Sequence, residues 1–583
     1  MRLRQSYKQK ELLLFILAAV TLILIKHSLV VSLPVEARYY PTDDFLMVQM
    51  AESLLQGTWL GAYSPVNLMK GCFFPLFLAG AARFGSSYLS VLDLTNTLAI
   101  LFFVSQIRYL FRSRWALFVL FVVLLFEPCT YSNMTFQRVY RSSVTEMQVL
   151  FLFGSYFGFF LLTKERKDSG DWGNLWREGT LGLVAGTTLW AIWNTREESM
   201  WIIPFVSVAS ILILIDLIGA LRVQKHALKL IGIRIFCCLL PFLILFGGNQ
   251  WIRWQNERHY GVALRLEEVD GEFADTVKTI YSIKNEVDLP HVTVSREKLE
   301  RLYAASETLR MIRPELDAQM ERYSQADRNR SDREVEDGWF FWGLKRAAFE
   351  NGAADTLLKS QLFWKQIRLE LEDALNTPGS GLERQNTMPS VLMSPWRHSY
   401  LSELPDAVRK IVCYMVSYKE NAPLIKASGK ASNSVSRRFE IRTNNLVVYQ
   451  DEENELQQQL LEQKAAVLNW IINIYRTINP FVEVIGFSLY FVFLAICIIK
   501  RKKQLISLLL ITGGMFLSAT VMIIGTAYVH ISAFPSVKYF YLVGAYPLMI
   551  TSEWIVVLCF AEHNLMPCRS YAKKPRVFHT HKL

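Results

Sequence analysis

The sequence predicts a polytopic α-helical membrane protein with about ten transmembrane helices. A mainly α extracytoplasmic domain is inserted between spans seven and eight. Three observations carry this reading. Mean hydropathy is +0.21, and 52% of the 583 residues are hydrophobic although 20% are charged. That average conceals long apolar runs and one polar block, 251–475. The net charge of +11 sits largely in short basic clusters beside the apolar runs, as the positive-inside rule describes. The clusters are Arg2, Arg4, Lys8 and Lys10; Lys164, Arg166 and Lys167; Lys500–Lys503; and Lys573, Lys574 and Arg576.

The chain therefore divides into an N-terminal membrane module (1–250, with its first outer loop at 33–87), a soluble domain (251–475), and a C-terminal module with a basic tail (476–583). Span one, Glu11–Val31, follows a basic leader and reads as a retained signal-anchor, with Val35–Ala37 a poor cleavage site. Phe73–Ala82 is apolar but short of the roughly 20 residues a crossing needs, so it reads as re-entrant or interfacial. Spans two to seven are Tyr88–Leu110, Trp115–Tyr131, Thr145–Leu162, Gly179–Trp193, Met200–Leu221 and Leu228–Gly248. Spans eight to ten are Phe481–Ile499, Leu505–Tyr528 and Tyr539–Phe560. Ten crossings place both termini in the cytoplasm of a multi-pass protein of the cytoplasmic membrane.

Within the polar block, Trp364, Ile367, Leu371, Ala374 and Leu375 form one apolar stripe, which predicts a packed helix over Asp355–Leu375. Pro378-Gly379-Ser380-Gly381 ends it. Arg438–Tyr449 alternates as a strand would. Glu455–Ile478 reads as a helix running into span eight. Cys413 is the block's only cysteine, so it holds no internal disulfide, and no Cys/His spacing suggests structural zinc. No basic-aromatic stripe accompanies the positive charge, which argues against nucleic acid as a partner.

The stretch most dense in chemistry is 38–75. Thr42 is placed to cap a helix, with Asp43 and Asp44 at its start. Met47, Val48, Ala51, Leu54 and Leu55 recur at helical spacing, with Gln49, Glu52, Ser53 and Gln56 opposite and Gly57 as the stop. The acidic pair either stabilises the helix N-terminus or works in chemistry. The topology puts it on one outer face with Arg138, Arg141 and Glu146, with Arg196, Glu197 and Glu198, and with His530 and Lys538. Ionisable groups at membrane depth are costly and point to function. Joining a lipid phosphate to a polar acceptor needs such a mix. Carboxylates deprotonate the acceptor or hold a divalent metal ion, and basic groups hold the phosphate. Structural alternatives stand beside this: an Arg138 or Arg141 bridge to Glu146, an ion pair at Arg196–Glu198, and an interfacial belt that includes Trp59, Tyr63, Trp190, Trp193, Trp251 and Trp254. Asn133-Met134-Thr135 has the form of a glycosylation sequon.

Asp43-Asp44, then Ala51, Leu54 and Gly57, and later Lys70-Gly71-Cys72-Phe73-Phe74-Pro75-Leu76-Phe77-Leu78-Ala79, resemble bacterial polytopic GT-C glycosyltransferases. They are similar to the protein O-mannosyltransferase and lipid A aminoarabinose transferase families. The resemblance covers about the first third and the last span, and implies a GT-C-like fold. It implies a catalytic base in the first outer loop, at Asp43 with Asp44 as neighbour; the mannosyltransferases usually have Asp-Glu there. Lys70 falls in what looks like the family's lysine-plus-proline motif. By the same resemblance Glu146 is a second acid of the site. Arg138, Arg141, Arg196, Glu197, His530, Lys538 and Tyr539 are substrate-binding candidates, with Lys538-Tyr539 standing where the family has Arg-Tyr. The partners implied are a polyprenyl-phosphate-linked sugar, membrane lipid, and a glycan, lipid or protein acceptor. The competing reading is a non-enzymatic membrane protein, either a transporter or a partner-binding scaffold. A transporter would show internal repeats or broken helices, and the sequence has neither.

Overall fold

Among the described residues, eight helices are long and apolar enough to cross a membrane, the make-up of a helical membrane protein. They are seen in a computed structural model that describes residues 2–38, 43–169, 175–197, 199–223, 228–286, 289–326, 332–385, 396–452, 454–502 and 505–565. Six of the eight are α1 (Arg2–Val30), α4 (Tyr88–Ile107), α6 (Thr145–Ser169), α8 (Ile203–Val223), α19 (Ile506–Ser532) and α21 (Ala545–Leu565). The other two, α9 (Leu228–Tyr260) and α18 (Glu455–Ile499), have 33 and 45 residues. At 1.5 Å per residue they are about 50 and 68 Å long, well beyond a ~30 Å hydrocarbon core. Both therefore continue out of the membrane as rods. The predicted ends at Gly248 and Phe481 fall inside them, and the polar block begins and ends within continuous helix.

Two predicted spans fall short. The third is reduced to α5 (Arg114–Leu125), 12 residues and so about 18 Å. Glu127-Pro128 then diverts the chain into a 3-10 turn, Pro128–Thr130, with the Glu127 side chain accepting the Cys129 N–H. The fifth corresponds to α7 (Trp176–Trp193), which opens on Trp-Arg-Glu and is not apolar enough to qualify. α7 packs along α6 and α9. Glu178 on α7 is wholly buried and paired with the equally buried Arg234 of α9 at 2.7 Å. The short apolar segment forms α3 (Phe73–Arg83), which packs on α2 (Asp44–Leu55) and α4.

The interval 251–475 divides between two cores. Its first half holds α10 (Glu272–Ser282), α11 (Arg296–Ala305), α12 (Glu307–Met311), α13 (Arg313–Ala326), α14 (Asp337–Glu350) and α15 (Leu357–Asn376). These enclose their own apolar core, with Trp364 wholly buried against Phe273 and Phe363. The stripe on α15 forms as its spacing predicts, and Thr356 caps it. The second half, α16 (Tyr400–Val416) and α17 (Ser434–Thr443), packs into the core of the membrane bundle. Trp396 stacks on Tyr528 of α19, and α17 lies on α2 and α3.

Arg438–Tyr449 is not a strand. Asn433 caps α17 through its side chain, and Ser436, Phe439 and Thr443 share one buried face at helical spacing. Asn444, at φ +47°, ends that helix. Arg438 and Arg442 both reach Glu52 of α2. Glu52 is therefore buried in a clamp rather than on a solvated helix face.

Candidate functional site

The loop after α1 is held in register before the acidic pair. Val35 N–H donates to the Leu446 carbonyl at 2.8 Å, and Glu36 N–H to that of Gln137 at 3.0 Å. Thr42, the expected cap, lies outside the described residues. Asp43 occupies the N-cap position of α2, but its side chain accepts no capping hydrogen bond. The two carboxylates instead turn to the 137–141 segment and take different partners.

Asp44 is wholly buried and receives Arg138 in a bidentate fork, Nε to Oδ1 and Nη2 to Oδ2, both at 2.6 Å. Burial opposes the Arg138 charge, but the hydrogen bonds and charge of Asp44 raise its pKa further. The Arg138 guanidinium also lies 4.3 Å from the Tyr140 ring and 5.1 Å from that of Phe540. Arg138 thus works as the counter-ion of Asp44.

Asp43 has no ion-pair partner within 4 Å among the described residues, and accepts one hydrogen bond, from the Tyr140 hydroxyl at 2.9 Å. That hydroxyl in turn accepts from Arg141 Nε at 3.0 Å. Arg141 is buried and paired with Glu197. Burial raises the Asp43 carboxyl. Lys70, Arg141, the Tyr140 hydrogen bond and Arg138 together outweigh it, so the pKa falls below the ordinary value. Asp43 is ionised at neutral pH. Lys70 is 7% exposed, with its ammonium 5.1 Å from the Trp342 ring of α14. It makes no ion pair or hydrogen bond among the described residues.

Lys70 is placed by its neighbour. A Cβ on Gly71 would stand 2.1 Å from the Asn194 carbonyl at the end of α7, which also accepts the Phe73 N–H at 3.0 Å. Only glycine allows that approach. Beyond Asn194, Arg196 donates to the Phe540 carbonyl at 2.8 Å and lies 5.3 Å from the Tyr541 ring. A small cavity opens there, lined by Gln148, Thr195, Arg196, Ser199, Trp201 and Phe540 among others.

The predicted residues are thus brought together in part. Asp43, Asp44, Lys70, Arg138, Arg141 and Glu197 form one charge network, and Arg196 stands beside it. Glu146 is elsewhere: it is buried with Glu127 and Cys129, the one described group of three His, Cys, Asp or Glu side chains whose donor atoms lie in metal-binding reach. Neither arginine pairs with Glu146, because Asp44 and Glu197 take them. His530 Nδ1 accepts the Ser536 N–H of its own turn at 3.1 Å. Lys538 is exposed at the start of α20 (Tyr539–Leu542) and makes no ion pair among the described residues. The side chain of Tyr539, and Glu198, lie outside the described residues. Asn133-Met134-Thr135 is an internal turn: Thr135 is buried and donates to the Cys129 carbonyl at 2.6 Å.

Trp59 is buried and donates to Asn256 of α9 at 2.7 Å. Tyr63 donates to Glu267 at 2.8 Å. Lys345 of α14 completes that network at 2.6 Å from Glu267, tying the first loop to the α10–α15 helices. The sequence reading missed Glu267, Lys345 and Arg265. Arg265 is half-buried, donates to the Trp193 carbonyl at 3.4 Å, and acts electrostatically with Asp270 and, less strongly, with Glu197. The chain matches no protein-family model, no curated protein and no solved structure.

Proposed function

We propose that the chain is a membrane glycosyltransferase of GT-C type that moves a sugar from a polyprenyl-phosphate carrier to an acceptor hydroxyl, with Asp43 as the base. One observation carries the reading: a buried, ionised carboxylate and a buried lysine act on each other without forming an ion pair. Structural ion pairs in the same site are closed, as Asp44 with Arg138 and Arg141 with Glu197 are. Asp43 and Lys70 keep capacity for a ligand.

In the proposed step the acceptor oxygen attacks the anomeric carbon, and Asp43 takes its proton as the new bond forms. The bond from the anomeric carbon to the carrier's phosphate oxygen breaks, and the electron pair leaves with the phosphate. The Lys70 ammonium meets that added charge. A carboxylate with a low pKa is fully available as a base at neutral pH, and it takes the proton late, once the attacking oxygen has become acidic. Tyr140 holds Asp43 in place, and Arg141, fixed by Glu197, holds Tyr140. Arg138 and Asp44 brace the loop rather than contact substrate. The apolar helices present the site to a lipid carrier, and the cavity at Arg196 lies beside it.

The test uses purified chain in lipid nanodiscs with polyprenyl-phosphate sugars and mixed acceptors. Release of polyprenyl phosphate, dependent on Asp43 and on Lys70, supports the reading. Carrier that is bound but never consumed, at any acceptor, favours a binding protein instead.

A further inference from the structure

The loop that carries Arg138, Tyr140 and Arg141 is gathered at its base by side chains the proposed chemistry does not use. Glu127 follows α5, Cys129 sits in the 3-10 turn, and Glu146 is the second residue of α6. Each offers a donor atom, and these atoms all lie within 4.8 Å of one another. Glu127 is 0% exposed, and Cys129 and Glu146 are each 2% exposed. Glu127 Oε2 accepts the Cys129 N–H at 2.8 Å. Tyr418 reaches Glu127 as a further hydrogen-bond donor, whereas Glu146 Oε1 accepts no hydrogen bond among the described residues.

The neighbouring ammonium does not resolve this. Lys26 lies 2.9 Å from Asp93, which also faces His27 at 2.8 Å. Asp93 takes the ion pair of Lys26, which acts on Glu127 and Glu146 only from a distance, so neither buried carboxylate has an ion pair of its own among the described residues. Burying each charge costs several kcal/mol unless something compensates it.

The donor set indicates what compensates. One thiol and two carboxylates suit the zinc class of cations, whereas calcium and magnesium favour six or more oxygens. Zinc–donor bonds of about 2.0–2.3 Å set donor separations of roughly 3.3–3.7 Å in a tetrahedron. Inward shifts of no more than ~1 Å bring the three atoms to that geometry. Tyr418, just beyond α16, faces Glu127 from the far side of the bundle's core, and a water can fill the fourth position.

We propose that Glu127, Cys129 and Glu146 form a buried site for a divalent cation of the zinc class, which clamps together the two ends of the loop bearing Arg138, Tyr140 and Arg141. The site is separate from Asp43 and does not depend on glycosyl transfer.

The test uses the full chain in detergent, stripped with a chelator and reloaded with Zn2+ or Co2+. Wild type should retain about one zinc per chain through gel filtration. The cobalt form should show a sulfur-to-cobalt charge-transfer band. Cys129→Ser should abolish the band, and Glu146→Gln should weaken zinc binding by at least about tenfold. Cys413→Ser, at the exposed thiol, should change neither. Three results overturn the proposal: wild type holding under about 0.1 equivalent of zinc, as expected if the carboxylates share a proton; a band that survives Cys129→Ser; or a band lost equally in Cys413→Ser. Chelation should also raise hydrogen exchange in 130–144 in wild type, and unchanged exchange there contradicts the clamp. Cys129→Ser keeps the side chain's size, so the experiment does not rest on a variant that fails to fold.

Discussion

Arg138→Met separates the two aspartates by their energetics. The substitution keeps the aliphatic stem and removes both hydrogen bonds to Asp44, each 2.6 Å. The side chains are 5% and 0% exposed, so water cannot replace the guanidinium. Breaking a buried pair from one side leaves an uncompensated charge and costs about 3–5 kcal/mol. Removing both partners leaves no such charge. Arg138→Met with Asp44→Leu should therefore recover at least ~2 kcal/mol relative to the single variant. The assay is unfolding of the full chain in mixed micelles, titrated with dodecyl sulfate and followed by tryptophan fluorescence. If Arg138→Met costs less than about 1 kcal/mol, or the double variant is no better than the single one, the structural role given to this pair is wrong.

Other predictions follow from the same contacts. Gly71→Ala should disorder the Lys70 loop, because its methyl meets the Asn194 carbonyl at 2.1 Å; increased hydrogen exchange in 67–76 checks it. Lys345→Met should leave Glu267 without its counter-charge and cost about 3–5 kcal/mol, read by unfolding of α10–α15; the pair is 1% and 0% exposed. Lys298 is held at about 7, chiefly by burial with a smaller contribution from Arg301, against the attraction of Asp337. Its folded-state value lies below its unfolded one, so the unfolded chain binds more protons between the two. Stability of α10–α15 should therefore rise from pH 7 to pH 9, by roughly 1–2 kcal/mol, and Lys298→Met should flatten that rise. The acid limb of any Asp43-dependent transfer should lie on the acid side of an ordinary aspartate's titration, because Lys70, Arg141, the Tyr140 hydrogen bond and Arg138 outweigh burial and lower its carboxyl.

Long apolar runs made the eight qualifying helices legible, since nothing but a membrane or a core accepts them. The third and fifth predicted spans come out as a shorter helix and a less apolar one, because hydropathy averages across Glu127-Pro128 and across the polar start of α7. α17 was read as a strand from residues that begin past its cap at Asn433, so the buried spacing Ser436, Phe439, Thr443 was cut at its first member. Charge topology grouped Asp43, Arg138, Arg141 and Glu197, and in the structure they belong to one charge network. The pairings were not legible. Arg141 meets Glu197, 56 residues away, and passes over Glu146, five residues away. Helix geometry turns Glu146 toward Glu127 and Cys129 instead, so nearness in sequence misled. Arg265 and Lys345 carried no signal, because isolated basic residues in a polar block look like solvated surface until the fold buries them.

Asp43 is proposed as the base for sugar transfer from a lipid phosphate. The most direct measurement is single-turnover transfer from polyprenyl-phosphate sugar by wild type and by Asp43→Asn, with Asp44→Asn alongside and folding checked by circular dichroism. An amide at 43 can still accept from Tyr140, so the variant should remain folded and bind carrier while its rate drops by about 10²–10⁴-fold. Wild-type transfer by folded Asp43→Asn protein would contradict the account.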